Sequence, residues 1–383
     1  MIYLDNSATT YPKPKEVRYA VANALTHYGA NPGRSGYQMS LATSQMIYQT
    51  RKRLADFFHM AHEENVIFTP SCTCSLNMVI KGVLQKGDHV IISSLEHNSV
   101  VRPLEKLKRK GVITYSVAKV YEKDDEKTLH SFRDCINEKT RIMVVTHASN
   151  VFGIRLPIER LCALSHQYHI LFCVDAAQSA GVLPIDIMEY DYDFVCCAGH
   201  KGLMGVMGSG LLLVNHDALS DTIIEGGTGS QSSDRILPSY LPDRLESGTG
   251  NVPGICAMGA GAQWISRINR ERIFQKEIRH IQTVYRYLSE MRHVLLFTDE
   301  PDEAHYAPVL SFCIKDMDSE SVSKYLDEKY GICVRAGLHC APLAHQFMGT
   351  GNCGTVRISP SYLTSDNEIR ILIEAIHKIS NLA

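Results

Sequence analysis

The chain has 383 residues, 45% of them hydrophobic and 21% charged, with a formal net charge of −2. That length allows one large domain and a smaller one, because single cores stop growing at roughly 250–300 residues. The near-neutral balance supplies no field to draw the protein to nucleic acid or a membrane. The opening MIYLDNSATT has no basic stretch followed by an apolar one, and no run approaches about 18 uninterrupted apolar residues, so neither export nor membrane spanning is expected. Twelve cysteines scattered along the chain are unlike the dense framework of a small secreted domain, and a reducing, cytoplasmic setting is expected.

From about residue 66 to 214, short β-rich apolar runs alternate with amphipathic stretches: NVIFT, HVIIS, GVITYSV, RIMVVTHAS, ILFCVDAAQ, FVCCAGHK and GSGLLLV. This rhythm predicts an α/β fold of βα units around a mostly parallel sheet. SLNMVIKGVLQKG and PIERLCALSHQYH carry apolar residues at helical spacing, and the first ends in the helix-stopping pair KG. Residues 228–254, rich in Gly, Ser and Pro, predict a long loop. Beyond it, residues 255–291 predict one long helix, followed by a PVLSFCI strand, a helix from about Ser319, a GICVRAG strand and a last helix from about Thr364. These predict a smaller α+β domain.

Ligands of a parallel sheet bind at the carboxyl ends of its strands. Three groups fall on such ends: His97 after HVIIS, Asp175 after ILFCV and Lys201 after DFVCCA. Pyridoxal phosphate chemistry needs these residue types: a lysine to form a Schiff base, an acid to keep the pyridine nitrogen protonated, and a flat group to stack on the ring. Phosphate ligands are available at SCTCSLN, where Thr73 and neighbouring backbone N–H groups would open a helix, and His200 could add a donor. Taken singly, each residue has a plainer explanation: a helix cap, a core histidine, a solvated lysine. The pairs CTC, CC and HC lack the paired CxxC spacing of a structural zinc site, so no metal is expected.

The segments IYLDNSATT, SLEHNSVVRPL, THASNVFGIRLP, VDAAQSAG, AGHKGLMGVMGSG, RLESGTGN, VRAGLHCAP and VRISPSYLTSDNEI resemble, in order, those of cysteine desulfurases and selenocysteine lyases. These form class V of the fold-type I pyridoxal phosphate enzymes, and the resemblance covers nearly the whole chain. It implies a large domain over 15–255 and a small one from 1–14 and 256–383. It implies that Lys201 is the Schiff-base lysine, Asp175 the partner of the pyridinium nitrogen, Gln178 the partner of the ring hydroxyl, and His97 the stacking residue that handles substrate protons. Cys72, Thr73 and His200 fall among its phosphate-holding positions, and Thr249 matches the residue that reaches the neighbouring subunit's phosphate, implying a homodimer. Arg357 matches the arginine that pairs with the substrate carboxylate, as a planar fork suits, and Asn150 and Arg34 line the same pocket. Cys340, in RAGLHCAPLAH, stands where the family has its sulfur-accepting nucleophile, beside His339 and Arg335 and a short loop before Arg357.

The chain departs from the family pattern at Ser71, Cys72 and Cys74, where Gly, Thr and Glu are usual, and at Ala198, where a serine usually helps hold the phosphate. The activity implied is conversion of L-cysteine to L-alanine, with the sulfur held on Cys340 as a persulfide and passed to an acceptor protein or thiol. Action on L-selenocysteine, transamination or C–S lyase chemistry with Cys340 idle, and a non-catalytic sulfur-carrier or assembly scaffold, remain open alternatives.

Overall fold

The computed structural model describes residues 1–33 and 36–382. A short strand β1 (Ile2–Tyr3) opens the chain. The apolar runs then form a seven-stranded sheet from β2 (Val66–Thr69), β3 (His89–Ser93), β4 (Thr114–Ala118), β5 (Thr140–Thr146), β6 (Leu171–Asp175), β7 (Phe194–Ala198) and β8 (Gly210–Val214). Their order is β2-β8-β7-β6-β5-β3-β4. Neighbours from β7 to β4 pair in parallel, while β8 runs antiparallel to both β7 and β2. Every residue of β3, β7 and β8 is buried, because helices cover both faces and an unbroken apolar strand loses no solvent-facing side.

Connections leave β3 and β5 toward opposite edges, so the crevice between their carboxyl ends is the switch point where such sheets take ligands. β7 and β8 are joined by a tight loop that carries Lys201. It is pinned by Gly199 N–H to the Ser209 carbonyl (2.9 Å) and Gly205 N–H to the Gly199 carbonyl (2.7 Å). A Cβ at Gly205 would lie 2.7 Å from the Gly199 carbonyl oxygen, so the close approach requires glycine.

A second sheet, antiparallel throughout, contains β9 (Val294–Leu296), β10 (Leu310–Ile314), β12 (Arg335–Gly337) and β13 (Thr355–Ile358) in the order β12-β13-β10-β9, and β11 (Ile332–Cys333) pairs in parallel with β1. Ile2 and Leu4 accordingly pack with Val284, Leu310, Ile358 and Ile376 in a separate core cluster. The long helix expected over 255–291 is two helices, Val252–Ile268 and Arg270–Ser289. Asn269 breaks it with φ +83° and restarts it by accepting a hydrogen bond from Glu271 N–H, as a short amide side chain can. The first helix packs on the large core through Ala257, Met258, Ala262 and Ile265. No helix among the described residues is long and apolar enough to cross a membrane.

Candidate active site

Asp175, the last residue of β6, is buried. Its Oδ1 accepts from Ala177 N–H at 3.0 Å and from the Cys72 thiol at 3.4 Å. Among the described residues Oδ2 has no hydrogen bond, which leaves one carboxylate oxygen for a ligand. Cys72 begins the helix Cys72–Val83, whose cap Ser71 accepts from Cys74 N–H. Burial first, then the Asp175 charge, pushes the Cys72 thiol well up, so it stays neutral and donates. The Cys72 side chain is therefore spent on Asp175 and on the Cys196 carbonyl (3.3 Å), while Thr73 is exposed in the first helical turn.

His97 caps the helix Asn98–Arg109. Its Nδ1 accepts from Ser99 N–H at 3.1 Å and lies 2.7 Å from Ser99 Oγ. A ring nitrogen that accepts from an amide carries no proton, so Nε2 holds the hydrogen in the neutral ring. Burial lowers the His97 pKa, with Lys201, Arg335 and Arg102 adding to the effect and Asp175 opposing it. Lys201 keeps some accessible surface, yet is packed deeply enough that burial lowers its pKa. Arg357 and Arg335 push it the same way, against Asp175 and Cys72. The carboxyl ends of β3, β6 and β7 thus gather His97, Asp175 and Lys201 closely enough to act on one another's charge, with Arg335 and Arg357 near.

The loop before Lys201 is held by the N-terminal segment: the His200 carbonyl accepts from Lys13 Nζ (2.7 Å) and Thr10 N–H (3.1 Å). Burial, then the charges of Lys201 and Lys13, lowers the His200 pKa to about 4, and its buried Nδ1 has no partner among the described residues. Gln178 lies on the same side, donating from Nε2 to the Ser7 carbonyl at 3.1 Å.

Cys340 is exposed, and with His339 it takes the left-handed backbone conformation (φ +56° and +48°). Two residues beyond the carboxyl ends of β3 and β5 hold this loop. Asn98 N–H donates to the Cys340 carbonyl at 2.8 Å, and Asn150 Nδ2 donates to the His339 carbonyl at 2.8 Å. Arg335 Nη2 is 4.0 Å from Cys340 Sγ. On the adjoining strand, directly opposite Arg335 in register, lies Arg357, 1% exposed. Arg357 donates to the Asn150 carbonyl (2.9 Å) and pairs with Asp5 (2.6 Å), while its buried Nε has no partner among the described residues. That bare N–H suits a carboxylate ligand.

Thr249 is not brought to this crevice within one chain. It lines a cavity of about 690 Å³ with Arg51, Glu246 and Cys74, which Lys201, His97 and Asp175 do not line. Arg34 lies outside the described residues. Asp5 and Asn98, which hold Arg357 and the Cys340 loop, were not singled out in the sequence. The signal was present, since both sit inside quoted segments, IYLDNSATT and SLEHNSVVRPL, but a contact spanning hundreds of residues leaves no local pattern. The donor set of a buried lysine, a carboxylate with a free oxygen, a neutral imidazole and an orphaned ring nitrogen at His200 fits pyridoxal phosphate.

The sequence pattern of the Aminotransferase class-V family matches residues 2–372. The chain is 32% identical to a protein named probable cysteine desulfurase from Methanothermobacter thermautotrophicus, over 100% of this chain and 95% of that protein. It is 30% identical to one of the same name from Vibrio cholerae, over 100% and 94%. The solved apo structure of a cysteine desulfurase from Thermococcus onnurineus superposes with a TM-score of 0.91 at 29% identity, covering 100% of this chain and 95% of that one.

Proposed function

Because this chain belongs to the class-V aminotransferase family, whose enzymes use pyridoxal phosphate, we propose that it is a cysteine desulfurase that turns L-cysteine into L-alanine and holds the released sulfur on Cys340. The observation that carries this reading is the Asn98–Cys340 hydrogen bond (2.8 Å), which seats an exposed thiol over the crevice shared by Lys201, Asp175 and His97. Lys201, Asp175, His97, Gln178 and His200, with the amide end of helix Cys72–Val83, would hold the cofactor. When bound, it supplies an electron sink for the carbanion left by loss of the substrate Cα proton.

Each side chain then has one task. Arg357 takes the substrate carboxylate. Lys201, whose pKa burial lowers from the ordinary lysine value, receives the Cα proton. The Cys340 sulfur attacks the sulfur of L-cysteine as the substrate's Cβ–S bond breaks, so the products are the Cys340 persulfide and, once carbon is reprotonated, L-alanine. The neutral His97 ring carries the thiol proton between these groups. The exposure of Cys340 and of neighbouring Leu338 lets an acceptor protein or thiol reach the persulfide, in a cytoplasm reducing enough to keep Cys340 a thiol. The direct test is to measure alanine and sulfide from L-cysteine and L-selenocysteine in the presence of a thiol. Alanine without any Cys340 adduct would favour a lyase.

Arg357→Lys is expected to raise KM for L-cysteine about tenfold or more, because an ammonium keeps the charge but loses the fork that serves carboxylate, Asp5 and Asn150 together. The visible absorbance of bound cofactor should persist. An unchanged KM in steady-state kinetics would remove Arg357 from the carboxylate site. We also propose a homodimer in which Thr249 serves the neighbouring subunit, supported by its distance from this chain's own crevice. Light scattering at micromolar concentration should give twice the 42.8 kDa chain mass, and a fully active monomer would refute it.

A further inference from the structure

Glu96 is fully buried, at 0% exposure, immediately before His97. Its Oε1 accepts from Ser93 Oγ at 2.6 Å and from Thr146 N–H at 2.8 Å. Ser93 is the last residue of β3 and Thr146 the last of β5, and Thr146 stands in register with Asp175 of β6. One carboxyl therefore spans the switch point of the sheet, tying the strand that leads into His97 to the strand beside Asp175. Its other oxygen, Oε2, is buried with no partner among the described residues. An ionised carboxylate with a bare buried oxygen is costly, so the proton resides on Glu96.

We propose that Glu96 is a positioning residue, a clamp across the ends of β3 and β5 that fixes His97 relative to Asp175. The proposal rests on the reading of this crevice as the cofactor site. Burial, with the Asp175 charge adding to it, raises the Glu96 carboxyl to about 8 against the pull of its two hydrogen bonds. The charged group that acts on it is Asp175 from β6; His97 follows it in the chain, and His147, which follows Thr146, is kept neutral by burial. Lys201 acts on His97 from the loop after β7. Ionisation of Glu96 would tighten the bonds from Ser93 and Thr146 but set a second buried negative charge beside Asp175, and the repulsion between the two would displace Asp175 relative to His97.

Glu96→Gln keeps an acceptor for Ser93 and Thr146 and cannot ionise, whereas Glu96→Leu keeps bulk and loses the acceptor. Leu is expected to lower kcat roughly tenfold to a hundredfold through misplacement of His97, with KM little changed. Gln should restore kcat near pH 7 and remove the alkaline loss of activity expected of wild type above about pH 8. A measurement without cofactor gives an independent arm. The folded state retains a proton that the unfolded chain releases near 4.5, so wild-type stability from this group is lost as pH rises from there toward 8. The melting temperature of the Gln variant relative to wild type should therefore climb between pH 5 and 8.

A Leu variant with wild-type kcat and pH profile overturns the clamp, as does a Gln variant whose alkaline loss and relative melting temperature follow wild type. If Leu does not fold, the Gln comparison still decides. If wild type binds no pyridoxal phosphate, the functional reading fails, while the melting arm still reports on Glu96.

Discussion

Alanine in place of Lys201 is expected to lower alanine release from L-cysteine by roughly a thousandfold or more, within the range that loss of a positioned proton acceptor removes. The amine is well suited to the task. Burial and the charges of Arg357 and Arg335 lower its pKa, while Asp175 and Cys72 keep it from falling further. Treating wild type with borohydride should fix a cofactor mass on the peptide that contains Lys201, and the variant should show neither that mass nor the visible absorbance of covalently held cofactor. The crevice walls do not depend on this side chain, since the loop is pinned through backbone groups of Gly199, Ser209 and Gly205. A variant that still yields the same borohydride-fixed mass would overturn the assignment of Lys201.

Cys340→Ser should be the second severe lesion, and a selective one. A serine hydroxyl preserves the loop, because the clamps from Asn98 and Asn150 reach the carbonyls of Cys340 and His339 rather than the side chain. Cofactor absorbance should be intact. Alanine release from L-cysteine should nevertheless fall by two to three orders of magnitude, since an oxygen nucleophile cannot take the sulfur. L-selenocysteine should survive as a substrate, because selenium leaves carbon more readily and needs no attack by a protein thiol. Mass spectrometry of the Cys340 peptide should show one added sulfur in wild type and none in the variant. Wild-type alanine production from L-cysteine by the serine variant would replace the desulfurase reading with a lyase.

Much of this site was readable because a parallel sheet imposes a rule: chemistry collects where strands end. His97, Asp175 and Lys201 each follow an apolar run, and the structure gathers them. The reversed strand β8 could not be told from its neighbours, since a run buried on both faces reads the same in either direction. Asn269 was absorbed into a helical pattern because one residue with a positive φ does not disturb apolar spacing on either side. Cys72 was placed with the phosphate by resemblance. Its contact with Asp175 depends on how a helix start meets a strand end 103 residues later, which no spacing encodes. Glu96 carries no signal of its own in the sequence, and only its burial reveals it.

The ion pair between Asp5 and Arg357 joins residues 352 positions apart. A ribosome adding about 5–20 residues per second would need roughly 20–70 s to make the intervening chain. For most of that time the first strand has no β11 to pair with, and for all of it Asp5 lacks the Arg357 guanidinium, although the main sheet is complete in sequence once Val214 is made. Birth of the proposed substrate pocket is thus a late event of synthesis rather than an early one. A chain interrupted before Arg357 would hold Lys201 and Asp175 but lack the arginine proposed to take the substrate carboxylate, and is expected to be inactive on L-cysteine.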